Sequence, residues 1–299
     1  MKSVLIGAVG SSNVMLETMV KIGFPLNCVF SLDDTGLENV SGYYPIHETA
    51  QKYGIDYRKF RNINDEQNVR LIKSIEPDYI FVIGLSQLVK KDIITSAKIG
   101  VIGFHPAPLP KYRGRSANVW QMILGEKKSK VSMFFIDKGI DSGDILGQEE
   151  YTFEETDYQC DIGKKIKDAE KVLAERVLNQ IMDGSLVAMK QDESKATYCL
   201  KRSPEDGRIN WSESIQKIHL LIRAISKPYP GAFSNYDGRH KVIIWRAEMH
   251  KNEQYIGFPG QIAQIDSKHI DVVCNDGLLR ITDWENTDDV KLLVGHKFW

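Results

Sequence analysis

Through its first half the chain moves back and forth between two hydrophobic periods. Short apolar runs at Ser3 to Ala8, Cys28 to Leu32, Tyr79 to Ile83, Ile99 to Phe104 and Val131 to Ile136 read as buried strands. Between them, Met15, Leu16, Met19 and Val20 recur at helical spacing after a candidate Ser12 cap, and further helical patterns lie around Ile46 to Tyr53 and Val69 to Ile75. Buried strands alternating with helices are what a parallel sheet covered on both faces requires. A Rossmann-like, doubly wound α/β domain is therefore predicted.

The second half has a different pattern. A long helical stretch from about Asp157 to Met182 stops at Asp183-Gly184, where glycine can take a left-handed C-terminal position. The charged run Lys190 to Lys195 and the turn-rich Arg202-Ser-Pro-Glu-Asp-Gly207 then mark a boundary, giving residues 1–203 as one domain and 204–299 as another. Past it, a helix near Ile215 to Ile225 precedes β-rich runs at Ala232 to Tyr236, Val242 to Ala247, Gln261 to Ile265, Ile270 to Cys274 and Leu278 to Trp284. With Asp237-Gly238, Pro259-Gly260 and Asp276-Gly277 as turns, they predict a small antiparallel barrel or sandwich. The 299 residues, 42% of them apolar, suffice for two such cores.

Charge narrows the partners. The 39 Lys and Arg against 40 Asp and Glu leave a net charge of -1, without the basic excess of a general nucleic-acid binder. Cys28, Cys160, Cys199 and Cys274 are scattered with no CxxC pairing, which suits a reducing compartment and supports neither a zinc ribbon nor a disulfide framework. No stretch approaches the ~18 apolar residues of a membrane span. A cytoplasmic protein with no membrane partner and no metal is the expectation.

Two segments could carry chemistry. Gly103-Phe-His105-Pro-Ala-Pro108-Leu-Pro110-Lys-Tyr-Arg113-Gly114 begins at the carboxyl end of a predicted strand, where open α/β sheets place their ligands. Pro106 biases His105 to an extended backbone and the prolines stiffen the loop. Ile136-Asp137-Lys-Gly139-Ile-Asp141-Ser-Gly143-Asp144 also follows a strand, and its glycines permit a tight turn. If adjacent strands bring His105 and Asp141 together, they supply a general base and the carboxylate that orients and charges it. Asp137 and Asp144 read as turn formers. Gly7-Ala-Val-Gly10 lacks the third glycine of a dinucleotide fingerprint and reads better as a strand-to-helix turn, while Asp33-Asp34 reads as a solvated acidic loop.

The same segments are similar to the H-x-x-L-L-P-x-Y-R-G and G-I/L-D-x-G-D motifs of the formyltransferases that use 10-formyltetrahydrofolate. The likeness runs through most of residues 1 to 200. Arg202-Ser-Pro-Glu-Asp-Gly-Arg-Ile-Asn-Trp211 and Pro228-Tyr-Pro-Gly-Ala-Phe233 further resemble the OB-like C-terminal domain of the tRNA and sugar-nucleotide members. The resemblance implies that His105 and Asp141 are catalytic and that 10-formyltetrahydrofolate is the formyl donor. It implies a pterin site between Ser86, Gln87, Leu88 and Val89 on one side and Ile140 and Asp141 on the other. It also implies an acceptor site along Pro108, Lys111, Tyr112, Arg113, Gly114 and Arg115, whose basic groups suit a diphosphate.

One position departs from the family. Its Asn, two residues before the His, is replaced by Gly103, and losing such an oxyanion donor costs roughly 10²–10³ in rate. A protonated His105 could take over, a backbone N–H or water could fill the space, or the protein could be inactive. Acceptor choice rests on charge: from Glu205 to Trp299, 12 Lys and Arg face 13 Asp and Glu, and the loop Leu32 to Glu38 is acidic too. This favours a nucleotide-linked amino sugar, such as a UDP-linked 4-amino-dideoxy sugar of a pseudaminic-type pathway for surface glycans, over methionyl-tRNA. From another class, Gly7 to Gly10 keeps a dinucleotide-binding oxidoreductase open, and Gly103 an inactive folate-binding protein. Several relatives pair through one domain, and the Trp299 end offers apolar contact for a homodimer.

Overall fold

The apolar runs of the first half assemble into one seven-stranded sheet in a computed structural model describing residues 1–35, 42–251 and 254–299. In chain order the elements are β1 (Ser3–Gly7), α1 (Gly10–Lys21), β2 (Cys28–Leu32), α2 (Ile46–Lys52), β3 (Tyr57–Phe60), α3 (Glu66–Ile75), β4 (Tyr79–Ile83), α4 (Lys91–Ile94) and β5 (Gly100–His105). There follow β6 (Arg113–Gly114), α5 (Ala117–Ile123), β7 (Lys128–Phe135), β8 (Ile145–Thr152), α6 (Gln159–Asp183) and β9 (Tyr198–Cys199). The sheet order is β3-β2-β1-β4-β5-β7-β8. Strands β3 to β5 are parallel, whereas β7 and β8 run antiparallel, so the sheet is doubly wound on one side and closes with a hairpin on the other.

Burial explains which strands were readable. β1 and β2 are buried at every position, as central parallel strands must be when both faces are covered. β3 (YRKF) and β8 (ILGQEEYT) are polar edge strands without a continuous apolar run, and the sequence pattern passes over both.

The Gly7-to-Gly10 turn is filled by the protein itself. Ser12 lies inside the first turn of α1 rather than ahead of it. Its Oγ accepts the N–H groups of Ala8 and Val9 at 3.0 and 3.2 Å and donates to the Ile83 carbonyl at 2.6 Å. A Cβ on Gly7 would meet that Oγ at 2.3 Å. Glycine is needed here for the approach of a side chain, not a phosphate. Asp34 and Asp33 pair with Lys59 and Arg61 at the surface, and the Lys59 ammonium holds the Asp34 carboxyl down at about 2. Residues 36–38 of the acidic loop lie outside the described residues.

The chain forms two compact units, and their division differs from a cut after residue 203. The first comprises Met1–Ala117, Lys128–Thr152 and Lys164–Cys199; the second comprises Asn118–Lys127, Phe153–Gly163 and Leu200–Trp299. Two excursions of the N-terminal half are thus packed in the second unit. There the Tyr158 hydroxyl donates to the Ala247 carbonyl at 3.1 Å, and Arg223 Nε donates to the Asp157 carbonyl at 2.7 Å. Such long-range docking leaves no mark in local periodicity.

The second unit is built on α7 (Ile215–Ile225) and β10 (Ala232–Tyr236), β11 (His240–His250), β12 (Ile262–Ile265), β13 (Ile270–Val273) and β14 (Leu278–Asn286), in the antiparallel order β10-β11-β14-β13-β12. Residues 295–299 bond to both outer strands: Trp299 exchanges N–H···O bonds with Asn235, while the Ile262 N–H donates to the His296 carbonyl at 2.9 Å. Inside, Trp211 stacks on Phe298 with ring centroids 5.7 Å apart. Among the described residues no helix is long and apolar enough to cross a membrane.

In the first unit, Glu170 of α6 is wholly buried. Burial pushes its carboxyl well above the usual range, only partly offset by Ser11 and Lys167. Both folded and unfolded chains hold this proton in acid, so there is no cost there; as pH rises past the unfolded glutamate range, the unfolded chain ionises first and stability falls. Glu170→Gln is therefore expected to raise the melting temperature near pH 7.5 and to change it little near pH 4, measured by thermal denaturation at both.

Candidate active site

The site is assembled from the carboxyl end of β5 and the loop that joins β7 to β8. Gly103 and His105 lie on one face of β5, two residues apart, opposite Phe134 and Ser132 of antiparallel β7. Ser132 Oγ then anchors the proline loop, donating to the Ala107 carbonyl at 2.7 Å and accepting the Leu109 N–H at 3.3 Å. Gln148 of β8 adds its amide to the Leu109 carbonyl at 3.0 Å and to Ser132 Oγ at 2.8 Å. The loop leaves β5 rigid and returns beneath the imidazole.

That return fixes the chemistry of His105. Tyr112, at φ 61°, turns its carbonyl onto His105 Nε2 at 2.7 Å. A carbonyl only accepts, so Nε2 carries a hydrogen and the neutral ring keeps its lone pair on Nδ1. Nδ1 faces Asp141 Oδ2 at 3.7 Å. Asp141 is itself in the left-handed region at φ 50°, and the same Oδ2 accepts the Gly114 N–H at 2.7 Å. Asp137 is a turn former: its Oδ1 takes the Gly139 N–H at 2.9 Å and the Ser142 hydroxyl at 2.7 Å.

The Cβ position of Gly103 is closely packed: a Cβ there would meet the Phe134 ring at 3.0 Å and Ile136 Cγ1 at 3.1 Å, so any side chain needs these neighbours to give by a few tenths of an ångström.

Arg113 also departs from its expected role. Its side chain is fully buried, and all five N–H groups are engaged: Nε and Nη2 on Gln191 Oε1 at 3.2 and 2.8 Å, Nη1 and Nη2 on Glu193 at 2.8 and 2.6 Å, and Nη1 on the Tyr198 hydroxyl at 3.1 Å. Glu193 raises its already high pKa further. No donor is left for a diphosphate, so Arg113 is corrected from acceptor ligand to internal rivet. Lys111 and Arg115 are exposed, with Arg115 Nη2 reaching the Ser86 carbonyl at 3.3 Å; Pro108, Tyr112 and Gly114 are half-buried around them.

On the other side, the loop after β4 is pinned to the loop after β3. Gln87 accepts the Ile63 N–H at 2.9 Å and donates to the Arg61 carbonyl at 2.5 Å, so its amide faces that loop rather than Asp141. Val89 packs on the core of the first unit. Leu88 and Ile140 are instead left exposed, and Ser86 is exposed beside Arg115. Sequence reasoning missed Gln191 and Glu193, which lie in a charged run resembling a linker.

A buried His thus stands beside a carboxylate at the end of a strand in a doubly wound sheet. The chain belongs to the formyl transferase family and is a formyltransferase: the formyl transferase domain matches residues 29–178, and the formyl transferase C-terminal domain matches residues 201–292. Solved structures with the same fold include the N-formyltransferase from Helicobacter canadensis in complex with folinic acid and dTDP-3-aminofucose, at 18% identity and a TM-score of 0.70, covering 95% of this chain and 100% of that one. HypX from Aquifex aeolicus in complex with tetrahydrofolic acid matches at 17% identity and a TM-score of 0.68 over 96% of this chain, which spans 44% of its length. Methionyl-tRNA formyltransferase from Clostridium thermocellum matches at 23% identity and a TM-score of 0.59, covering 93% and 100%.

The close packing at Gly103 can be tested by overpacking. Gly103→Asn is expected to destabilise the protein by about 1–3 kcal/mol, as extra atoms in a packed core do, and combining it with Phe134→Ala is expected to cost less than the sum of the two single changes. Urea denaturation of the single and double variants measures both.

Proposed function

We propose that this formyltransferase moves a formyl group from 10-formyltetrahydrofolate to the amine of a nucleotide-linked amino sugar. The observation that carries the reading is the placement of His105: its Nε2 lies 2.7 Å from the Tyr112 carbonyl, which leaves Nδ1 as the basic atom, and Asp141 stands 3.7 Å from it. The acceptor amine attacks the formyl carbon and the new N–C bond forms. His105 Nδ1 takes the proton from nitrogen, and the Asp141 carboxylate stabilises the imidazolium that results. With glycine at the family's amide position, that imidazolium is also the cation offered to the tetrahedral oxyanion, and as the bond to the folate N10 breaks it returns its proton to N10, so tetrahydrofolate leaves with that nitrogen neutral.

The acceptor class is supported by charge and by fold relatives. Neither unit carries the basic excess that tracking tRNA phosphates requires, and Lys111 and Arg115 are exposed for a small diphosphate. A structural relative is described with folinic acid and a dTDP-linked amino sugar, while another is a methionyl-tRNA enzyme, which makes methionyl-tRNA the second reading. Exposed Leu88 and Ile140 supply apolar surface for a flat pterin, with Ser86 at its edge. An oxidoreductase reading loses its support, since Ser12 fills the glycine turn that suggested it.

Formyl transfer from 10-formyltetrahydrofolate to a panel of dTDP- and UDP-linked amino sugars, among them a UDP-linked 4-amino-dideoxy sugar, is the test, with methionyl-tRNA opposed. Turnover of a nucleotide sugar with His105→Ala reduced roughly 10²–10⁴-fold is expected, the range for loss of a general base. Asp141→Asn should lose roughly tenfold or more, the scale of a charge pair near 4 Å under partial screening. Turnover of methionyl-tRNA alone, or full activity in both variants, would overturn the proposal.

A further inference from the structure

The Gln191 side chain bridges the two loops that carry the reacting pair. Its Oε1 accepts from Arg113 Nε and Nη2 at 3.2 and 2.8 Å. Its Nε2 gives one hydrogen to the Asp141 carbonyl at 2.8 Å and the other to the Gly143 carbonyl at 2.7 Å. All four hydrogen-bonding positions of the amide are in use, and their directions are not interchangeable: a guanidinium can only donate and a carbonyl can only accept.

The residues it joins are the ones that set His105 and Asp141. Arg113 lies between Tyr112, whose carbonyl holds His105 Nε2, and Gly114, whose N–H holds Asp141 Oδ2. Asp141 is a non-glycine residue in the left-handed region, a conformation that needs outside support. Gln191 supplies that support at the backbone carbonyl while Gly114 supplies it at the carboxylate. Removing the amide donors frees one loop relative to the other, along the line that fixes the 3.7 Å separation from His105 Nδ1.

We infer that Gln191 is a positioning residue of the formyl-transfer reaction, acting through Asp141 on His105; the inference rests on the function proposed above. Gln191→Glu keeps the acceptor for Arg113 and adds a favourable charge to it, yet loses both donors to the Asp141 loop. Gln191→Met removes the amide without adding charge and guards against an effect of charge alone.

The expected result is a kcat reduced roughly 10–100-fold in both variants, the scale of a small misplacement of a reacting group, with KM for both substrates within about threefold of the parent. In a double-mutant cycle, either change placed on Asp141→Asn should cost less than about twofold further, because the carboxylate it positions is already gone. Independently of activity, the His105 ring resonances in a ¹H–¹⁵N NMR spectrum should move in both variants in the direction seen for Asp141→Asn. Losses that multiply in full with Asp141→Asn, or His105 resonances that stay at their parent positions in folded variants, would overturn the inference. If the parent transfers no formyl group, the functional reading fails and the resonances alone decide whether Gln191 positions the pair.

Discussion

A cation sealed inside the first unit organises everything near the site. A guanidinium removed from water must find an acceptor for each N–H, because an unpaired buried donor costs about 1–3 kcal/mol and more when charged. Arg113 meets that demand by drawing Gln191, Glu193 and Tyr198 to the loop after β5. Satisfying one buried charge therefore fixes the backbone on either side of it. The carbonyl of Tyr112 and the N–H of Gly114 are available to His105 and Asp141 as a by-product of solvation.

Much of the frame was legible in the sequence because it rests on burial. The runs at β1, β2 and β4 are apolar but for Ser3 and Ser31 and declare themselves; β3 and β8 are polar edges and do not. His105 and Asp141 were legible as types at strand ends; their meeting was not, because β5 pairs with β7 antiparallel and the loop after β7 starts beside Val101 and turns back to His105. The antiparallel sense of that pairing was not legible, since local periodicity carries no direction. Nor was the membership of Asn118–Lys127 and Phe153–Gly163 in the second unit, which they join through contacts with residues far along the sequence.

Arg113 shows where residue-type reasoning goes astray. An Arg in a loop beside a candidate base reads as an anion ligand, and nothing local distinguishes it from one that is buried. The partners that decide the matter lie about eighty positions away, in a stretch whose composition is that of a linker. Gly103 is the converse case. Sequence registers a missing side chain, whereas packing shows Phe134 and Ile136 closed against the position where its Cβ would stand.

The bonds that residues 295–299 make to β10 and β12 bear on how the second unit meets other molecules. The outer strands of an open sheet present unpaired N–H and C=O groups that invite another chain to add a strand. Here residues 295–299 bond to both outer strands, at Asn235 and at Ile262, so those main-chain groups are not open to another chain. The pairing joins positions distant in sequence, which places it among the slower contacts to form.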